Sequence, residues 1–291
     1  MKNNVLKKVI LITGCSSGFG YFSALRFSRS GYYTFASVRS LKNKGVKKLQ
    51  RIKQAEKLPL EIFEIDVSKD ESVKHGFEFV TKKTKKIDVV INSAGFGSIG
   101  PIEEFTIEEI KKQYDTNVFG TLRIIKNVIP LMRKQKSGLI INISSIMGLM
   151  TLPLKGVYAS SKFAIEAISE TLRFELEPFG IKVVLVEPGP FSTNIQLNRR
   201  YPQSIHSKKS SYRLLVRRYF QDMQKTDRRM KDKKILPRVN PEKVASLLYQ
   251  ITQKKNPKLR YRIGMDTHIF WIKKFIPNSI WILILRKRYK W

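Results

Sequence analysis

The chain has 291 residues, with 56 Lys and Arg against 23 Asp and Glu, a formal charge of +33 at pH 7. Apolar residues make up 42%, enough for a sizeable core, so a wholly disordered basic protein is excluded. A single cysteine, Cys15, excludes an internal disulfide framework and a cysteine-cluster zinc site, and His75, His206 and His268 lack zinc-ligand spacing.

The first predicted element is a buried parallel strand, the apolar run Val9 to Thr13 ended by Gly14. A helix follows from about Tyr21 to Ser30, stopped by Gly31. Next come a strand at about Tyr32–Val38, a Lys-rich helix to about Lys57, a strand at Leu60–Ile65, a helix to about Lys85 and a strand at Ile87–Ile91. The alternation continues with a helix over Thr106–Met132, a strand at Gly138–Ile143, a helix over Val157–Phe179 and a strand at Lys182–Val186. Such alternation implies right-handed βαβ units. The expected fold is α/β, a single Rossmann-type doubly wound parallel sheet with helices on both faces.

Beyond Pro188 the pattern loosens. Residues 196–240 are basic and irregular, with a helix expected around Tyr212–Met230, then a helix at Pro241–Thr252 and a short strand near Leu259–Ile263. No linker or repeat interrupts the chain, so residues 1–291 read as one dinucleotide-binding and catalytic domain.

Thr13-Gly14-Cys15-Ser16-Ser17-Gly18-Phe19-Gly20 links the first strand to the first helix. Glycines there permit a tight turn and close approach of backbone to a pyrophosphate, and the helix N-terminus offers free N–H groups to it. The spacing is Gly-x-x-x-Gly-x-Gly. In this loop, in Asn92-Ser93-Ala94-Gly95, in Asn117, in Ser145 followed by Tyr158-x-x-x-Lys162, and in Pro188-Gly189 with Thr193, the chain resembles the short-chain dehydrogenase/reductase family. The resemblance is close over residues 8–195 and loose beyond. Within the family, the chain is similar to NADP(H)-using aldehyde reductases, retinol dehydrogenases and 17β-hydroxysteroid dehydrogenases.

The resemblance implies a catalytic set of Asn117, Ser145, Tyr158 and Lys162. Tyr158 and Lys162 stand four apart, on one helix face. A phenol with a pKa near ~10 is a poor acid–base group at neutral pH, and a neighbouring ammonium is expected to bring it toward the working range. By resemblance, Ser145 holds the substrate carbonyl oxygen, Lys162 also bonds the nicotinamide ribose, and Asn117 anchors a helix distortion and a water leading from Lys162 to solvent. No histidine or acid stands at a motif position to make Ser145 a nucleophile.

The end of the second predicted strand, Ala36-Ser37-Val38-Arg39-Ser40, has no acid to bond a ribose 2′-hydroxyl. Arg39 offers a planar fork for a 2′-phosphate and Ser16 a hydroxyl, so NADP(H) is expected over NAD(H); the bland alternative for Arg39 is one more surface charge. Asp66 and Val67 are, by resemblance, the adenine-contacting pair. The candidate cofactor residues are thus Gly14, Ser16, Ser17, Gly18, Phe19, Gly20, Arg39, Asp66, Val67, Asn92, Ala94, Gly95, Tyr158, Lys162, Pro188, Gly189 and Thr193. Two departures stand out: Phe19 replaces the usual aliphatic residue of the loop, and Ser93 the second Asn of Asn-Asn-Ala-Gly.

The charge is uneven. Residues 196–291 hold 26 basic and 5 acidic residues. No nucleic-acid recognition motif accompanies that charge, so nucleic acid is not the expected partner. In the tail, residues 265–291, Trp271 and Trp291 flank the apolar run Ile280–Leu285, which contains Trp281 and leads directly into Arg286-Lys287-Arg288. The run is shorter than the ~20 residues needed to span a bilayer. Two readings stay open for it: an interfacial segment on an anionic membrane, and a helix that covers the substrate pocket or packs in a dimer. The expected enzyme exchanges a hydride between NADP(H) and a lipophilic aldehyde or ketone, or the corresponding alcohol; the rivals are an NADP(H)-binding sensor and a basic membrane- or nucleic-acid-associated protein on the same fold. With Met1–Lys8 too short and polar for a cleaved signal, a cytoplasmic setting, peripheral to membrane if the tail docks, and a homo-oligomer are the expected context.

Overall fold

The computed structural model describes residues 8–191, 198–230, 240–264, 267, 273 and 275–289. Seven parallel strands, β1 (Val9–Ile12), β2 (Tyr33–Val38), β3 (Leu60–Glu64), β4 (Val89–Asn92), β5 (Gly138–Ile143), β6 (Ile181–Pro188) and β7 (Arg260–Ile263), form one sheet in the order β3-β2-β1-β4-β5-β6-β7. This is the doubly wound fold expected from the alternating pattern.

Strand periodicity divides the core in two. Ile10 and Ile12 of β1 face helices α1 (Gly18–Arg29), α2 (Lys44–Ala55) and α8 (Glu242–Thr252). Val9 and Leu11 face α3 (Asp70–Lys83), α5 (Gly120–Gln135) and the end of α6 (Gly156–Leu176). Both faces of the strands are covered, which is why they read as continuous apolar runs. Fully buried Phe27 and Phe35 each contribute ~1.5–3 kcal/mol of apolar burial.

The expected helix over Thr106–Met132 is divided. It begins where predicted, because Thr106 and Glu109 form a reciprocal cap at the start of α4 (Ile107–Tyr114). A π-helical segment at Asp115–Phe119 then separates α4 from α5. β6 runs two residues beyond its predicted end because β7 pairs with Leu185 through Pro188.

The remaining described chain builds a lobe over the carboxyl ends of the strands. It comprises α7 (Arg213–Met230) and α9 (Asn278–Tyr289). Val216, Tyr219, Leu285 and Tyr289 bury together, the Tyr219 and Tyr289 rings stack with centroids 6.0 Å apart, and Arg288 pairs with Asp222 at 2.8 Å. Of the residues singled out in the sequence, Thr193, His268, Trp271 and Trp291 lie outside those described.

Candidate active site

The sheet order reverses between β1 and β4, and open α/β sheets bind ligands in the crevice outside such a point. A cleft of about 720 Å³ lies there. Gly14, Ser16, Ser17, Gly18 and Phe19 line it, as do Arg39 after β2, Asp66 and Val67 after β3, and Ala94 and Gly95 after β4.

The glycine loop is shaped by close approach. Gly14 has φ +73°, and a Cβ there would sit 2.8 Å from the Ala94 Cα. A Cβ on Gly20 would sit 2.5 Å from the Gly14 carbonyl oxygen. So Gly20 does not line the cleft; it lets the first turn of α1 fold onto the loop. Gly45 is a third close approach, unforeseen from the sequence: a Cβ there would meet the Ser16 carbonyl, which brings the start of α2 against the same loop. These backbones form a cradle that side chains would fill, with the α1 N-terminus open to it, and the residues present fit a pyrophosphate. Cys15 points the other way. Its thiol is fully buried, donates to the Ile12 carbonyl, and is pushed well up by burial.

Phe19 packs its ring edge-on against Phe191, centroids 5.5 Å apart, and so ties the glycine loop to the segment after β6. Thr13 Oγ1 accepts hydrogen bonds from the N–H groups of both Ser93 and Ala94. Asn92 is buried behind the cleft and donates to Asn142 at 2.8 Å, while Asn142 donates to Ser169. The Asn-to-Ser departure at position 93 therefore leaves β4 tied to β1 and β5. Pro188 closes β6, and the Gly189 N–H donates to Ile263.

The three residues of the Ser-Tyr-Lys set converge at the end of β5. The Ser145 hydroxyl accepts from the Met147 N–H at 3.1 Å and is the side chain that draws the Tyr158 phenol down. Lys162 is buried and donates to the Ile143 carbonyl at 2.7 Å. Asn117 lies in the π-helical segment, donating to the Phe96 carbonyl and to Ser161 and accepting from the Phe96 N–H. Gly97 lies beside the Tyr158 ring, where a Cβ would come to ordinary contact at 3.7 Å.

Charge in the site differs from the expectation in one respect. Burial raises the Tyr158 pKa, and the group that pulls it down is Ser145 rather than Lys162. Burial lowers Lys162 to about 8, against the opposing attraction of Glu166. The reason is direction: the ammonium bonds the β5 backbone and lies 6.0 Å from the Tyr158 ring centroid.

The lobe contributes walls that sequence reasoning did not place. Arg200 pairs with residues 97–99 through two 2.9 Å backbone bonds, and Arg200 and Tyr201 line the cleft. On its inner side α9 sets Trp281 against the buried cluster of Ile146, Met147 and Met150, against which Tyr158 also packs. On the outer side of α9, Ile280, Leu283 and Ile284 are exposed, with Arg286 and Lys287 on the next turn.

With the site described, relatives place the chain. The family model described as short chain dehydrogenase matches residues 8–203, and the chain belongs to that family of oxidoreductases. It is 34% identical over 282 residues to 3-ketodihydrosphingosine reductase of Bacteroides thetaiotaomicron, covering 96% of this chain and 97% of the relative. It is 36% identical over 191 residues to human retinol dehydrogenase 8, covering 65% of this chain and 60% of that one. A solved short-chain dehydrogenase from Streptomyces avermitilis superposes with a TM-score of 0.79 at 28% identity, covering 96% and 95% of the two chains.

Proposed function

We propose that this protein is an NADP(H)-dependent reductase or dehydrogenase for a lipophilic carbonyl or alcohol, with Tyr158 as its general acid and base. The observation that carries the reading is the convergence of Ser145, Tyr158 and Lys162 at the end of β5, beside a glycine-loop cradle. When bound, the nicotinamide supplies or accepts the hydride. The chain does the rest. Ser145 holds the substrate oxygen by its hydroxyl, and Tyr158 delivers a proton to that oxygen in reduction or removes one in oxidation. Lys162 braces the phenol and the ribose, and Asn117 fixes the π-helical segment across from them. Pro188 and Gly189 border the nicotinamide side.

Arg39 supports the phosphate-bearing cofactor. It follows β2 directly, is exposed, and lines the cleft. The 25%-identical solved structure titled ElxO with NADP Bound has a TM-score of 0.68 over 89% of this chain, in keeping with that cofactor.

Lipophilic substrate chemistry is supported by the wall of Trp281, Met147 and Met150 beside Tyr158, and by relatives named for a ketosphingoid base and for retinol. The outer face of α9 supports docking on an anionic membrane surface, since Leu283 is 65% exposed beside Ile280 and Ile284, one turn from Lys287. Among the described residues, no helix is long and apolar enough to cross a membrane. The proposed assembly is a homo-oligomer through the outer side of α6. Phe163 and Phe174 stand eleven residues apart there, on one face, and are exposed.

An NADPH-oxidation screen over aldehydes and ketones of graded chain length tests the reading. Turnover that rises with chain length and disappears in Tyr158→Phe is expected. No turnover of any member in either direction overturns it.

A further inference from the structure

Two buried carboxylates stand behind the site and have no part in the chemistry above. Glu166 follows Lys162 by one turn of α6, and Glu187 is fully buried in β6, directly before Pro188-Gly189. Arg260 of β7 joins them: its Nε lies 3.2 Å from Glu166 Oε2 and 3.3 Å from Glu187 Oε1, while its outer nitrogen reaches the exposed Glu170 at 2.8 Å. Arg262 adds a 2.7 Å contact to the other Glu187 oxygen. Ser144, beside Ser145, approaches the same group: a Cβ on Gly148 would lie 2.8 Å from the Ser144 hydroxyl and 3.0 Å from Glu166 Cγ.

Burying two carboxylates is costly, and apolar residues of like volume commonly hold a fold as well. The cluster is therefore weak evidence for stability and asks for another role. Its placement supplies one. The charged groups facing Glu166 are Lys162 from α6, Arg260 from β7 and Glu187 from β6. The groups facing Lys162 are Tyr158 and Glu166 on its own helix and the Ile143 carbonyl of β5. Glu166, one turn along the same face of α6 and held by Arg260, is thus the carboxylate whose charge acts on the buried ammonium.

We propose that Glu166, clamped by Arg260 and through it by Glu187, is a positioning residue that keeps Lys162 a cation seated on the Ile143 carbonyl. The inference rests on the role given to Lys162 above. In the directions of the shifts, burial draws Lys162 down to about 8 while Glu166 acts against it, and burial raises both carboxylates. Without the Glu166 charge, Lys162 loses its proton at lower pH, and the brace on Tyr158 is lost with it.

The test reads Lys162 directly. The full-length protein is labelled at the lysine ε-carbons, the Lys162 signal is assigned with Lys162→Arg, and its titration is followed by NMR with and without NADPH. Glu166→Gln should lower the Lys162 midpoint by roughly one pH unit. The alkaline limb of kcat for reduction should move with it, while KM for NADPH at pH 6 stays within twofold. Glu166→Asp, which restores the charge, should return the midpoint toward wild type. In the wild-type protein the same signal should record the ionisation of Glu166 as a separate step at lower pH, a measurement that stands even where Glu166→Gln fails to fold. An unmoved midpoint in a folded Glu166→Gln overturns the proposal. So does a uniform fall in kcat with no displacement of its pH limb, or a single-step wild-type curve. Since the NMR midpoint needs no turnover, its failure is distinguishable from failure of the oxidoreductase reading.

Discussion

Lys162 donates to the Ile143 carbonyl at 2.7 Å, so the helix that carries Tyr158 is tied to the strand that delivers Ser145. The bond joins residues 19 positions apart in the chain and fixes Tyr158, the proposed acid–base group, against Ser145, proposed to hold the substrate oxygen. Proton transfer depends on that spacing, because general acids act only within hydrogen-bond reach.

Tyr158→Phe should retain NADPH binding, since the ring still packs beside Gly97, and should lower kcat by about 10²–10⁴-fold. Fluorescence titration of NADPH together with single-turnover kinetics checks both halves. Near-normal hydride transfer in the variant removes Tyr158 from the mechanism.

Arg39→Ala should weaken NADPH far more than NADH. A hydrogen bond to a charged group contributes roughly 1.5–3 kcal/mol, or about ten- to a hundredfold in affinity. Equal weakening of the two dinucleotides, measured by calorimetry, shows that Arg39 does not read the phosphate.

Gly20→Ala should destabilise the fold by about 1–3 kcal/mol and raise KM for NADPH, because its Cβ would lie 2.5 Å from the Gly14 carbonyl oxygen. Gly31→Ala is the contrasting case. Its surroundings are open, so its cost comes from φ +83° alone and should leave KM unchanged. Thermal unfolding and NADPH kinetics on the two variants separate crowding at the cradle from backbone strain remote from it.

Stability should carry a signature of Glu187. Its folded pKa is raised to about 7, by burial first and by Glu166 second, against the pull of Arg262 and Arg260. A carboxyl raised on folding favours the folded state while protonated, so its contribution is complete below its unfolded pKa and is lost as pH rises through about 7. The difference in stability between Glu187→Gln and wild type should therefore shift in favour of the variant from pH 4.5 to 7.5. A pH-independent difference in urea denaturation contradicts the assignment.

Leu283→Glu should release the protein from anionic vesicles while leaving turnover of a short soluble aldehyde unchanged, because the side chain faces away from Tyr158. Trp281→Ala, on the inner side, should change KM for long substrates. Wild-type protein that fails to co-sediment with phosphatidylserine vesicles at moderate salt contradicts membrane docking.

The strands and the loop after β1 were legible because both signals are local. Apolar runs ending in Gly14 or in Ser144-Ser145 carry their own boundaries. The π-helical segment was not legible from periodicity, since Asp115–Phe119 continues the helical pattern and only the Asn117 contacts to Phe96 and Ser161 show why the turn widens. The clamp of Arg260 on Glu166 and Glu187 was equally hidden: it joins residues 94 and 73 positions apart, and nothing in a charged residue's own neighbourhood tells that it is buried. Arg200 at the cleft and Gly45 beneath the glycine loop were missed for the same reason, since both act through backbone contacts with distant segments.

Cys15 sits in the middle of the cradle, yet its sulfur faces the core, fully buried and held as the thiol. Thiolate is the species that reacts with maleimides. As the chain has no other cysteine, the native protein is silent toward such reagents while folded. A cysteine introduced at Leu283, or at Phe174 on α6, would then be the sole reactive position, and a dye attached there would report contact with lipid or with a second subunit without any other change to the sequence.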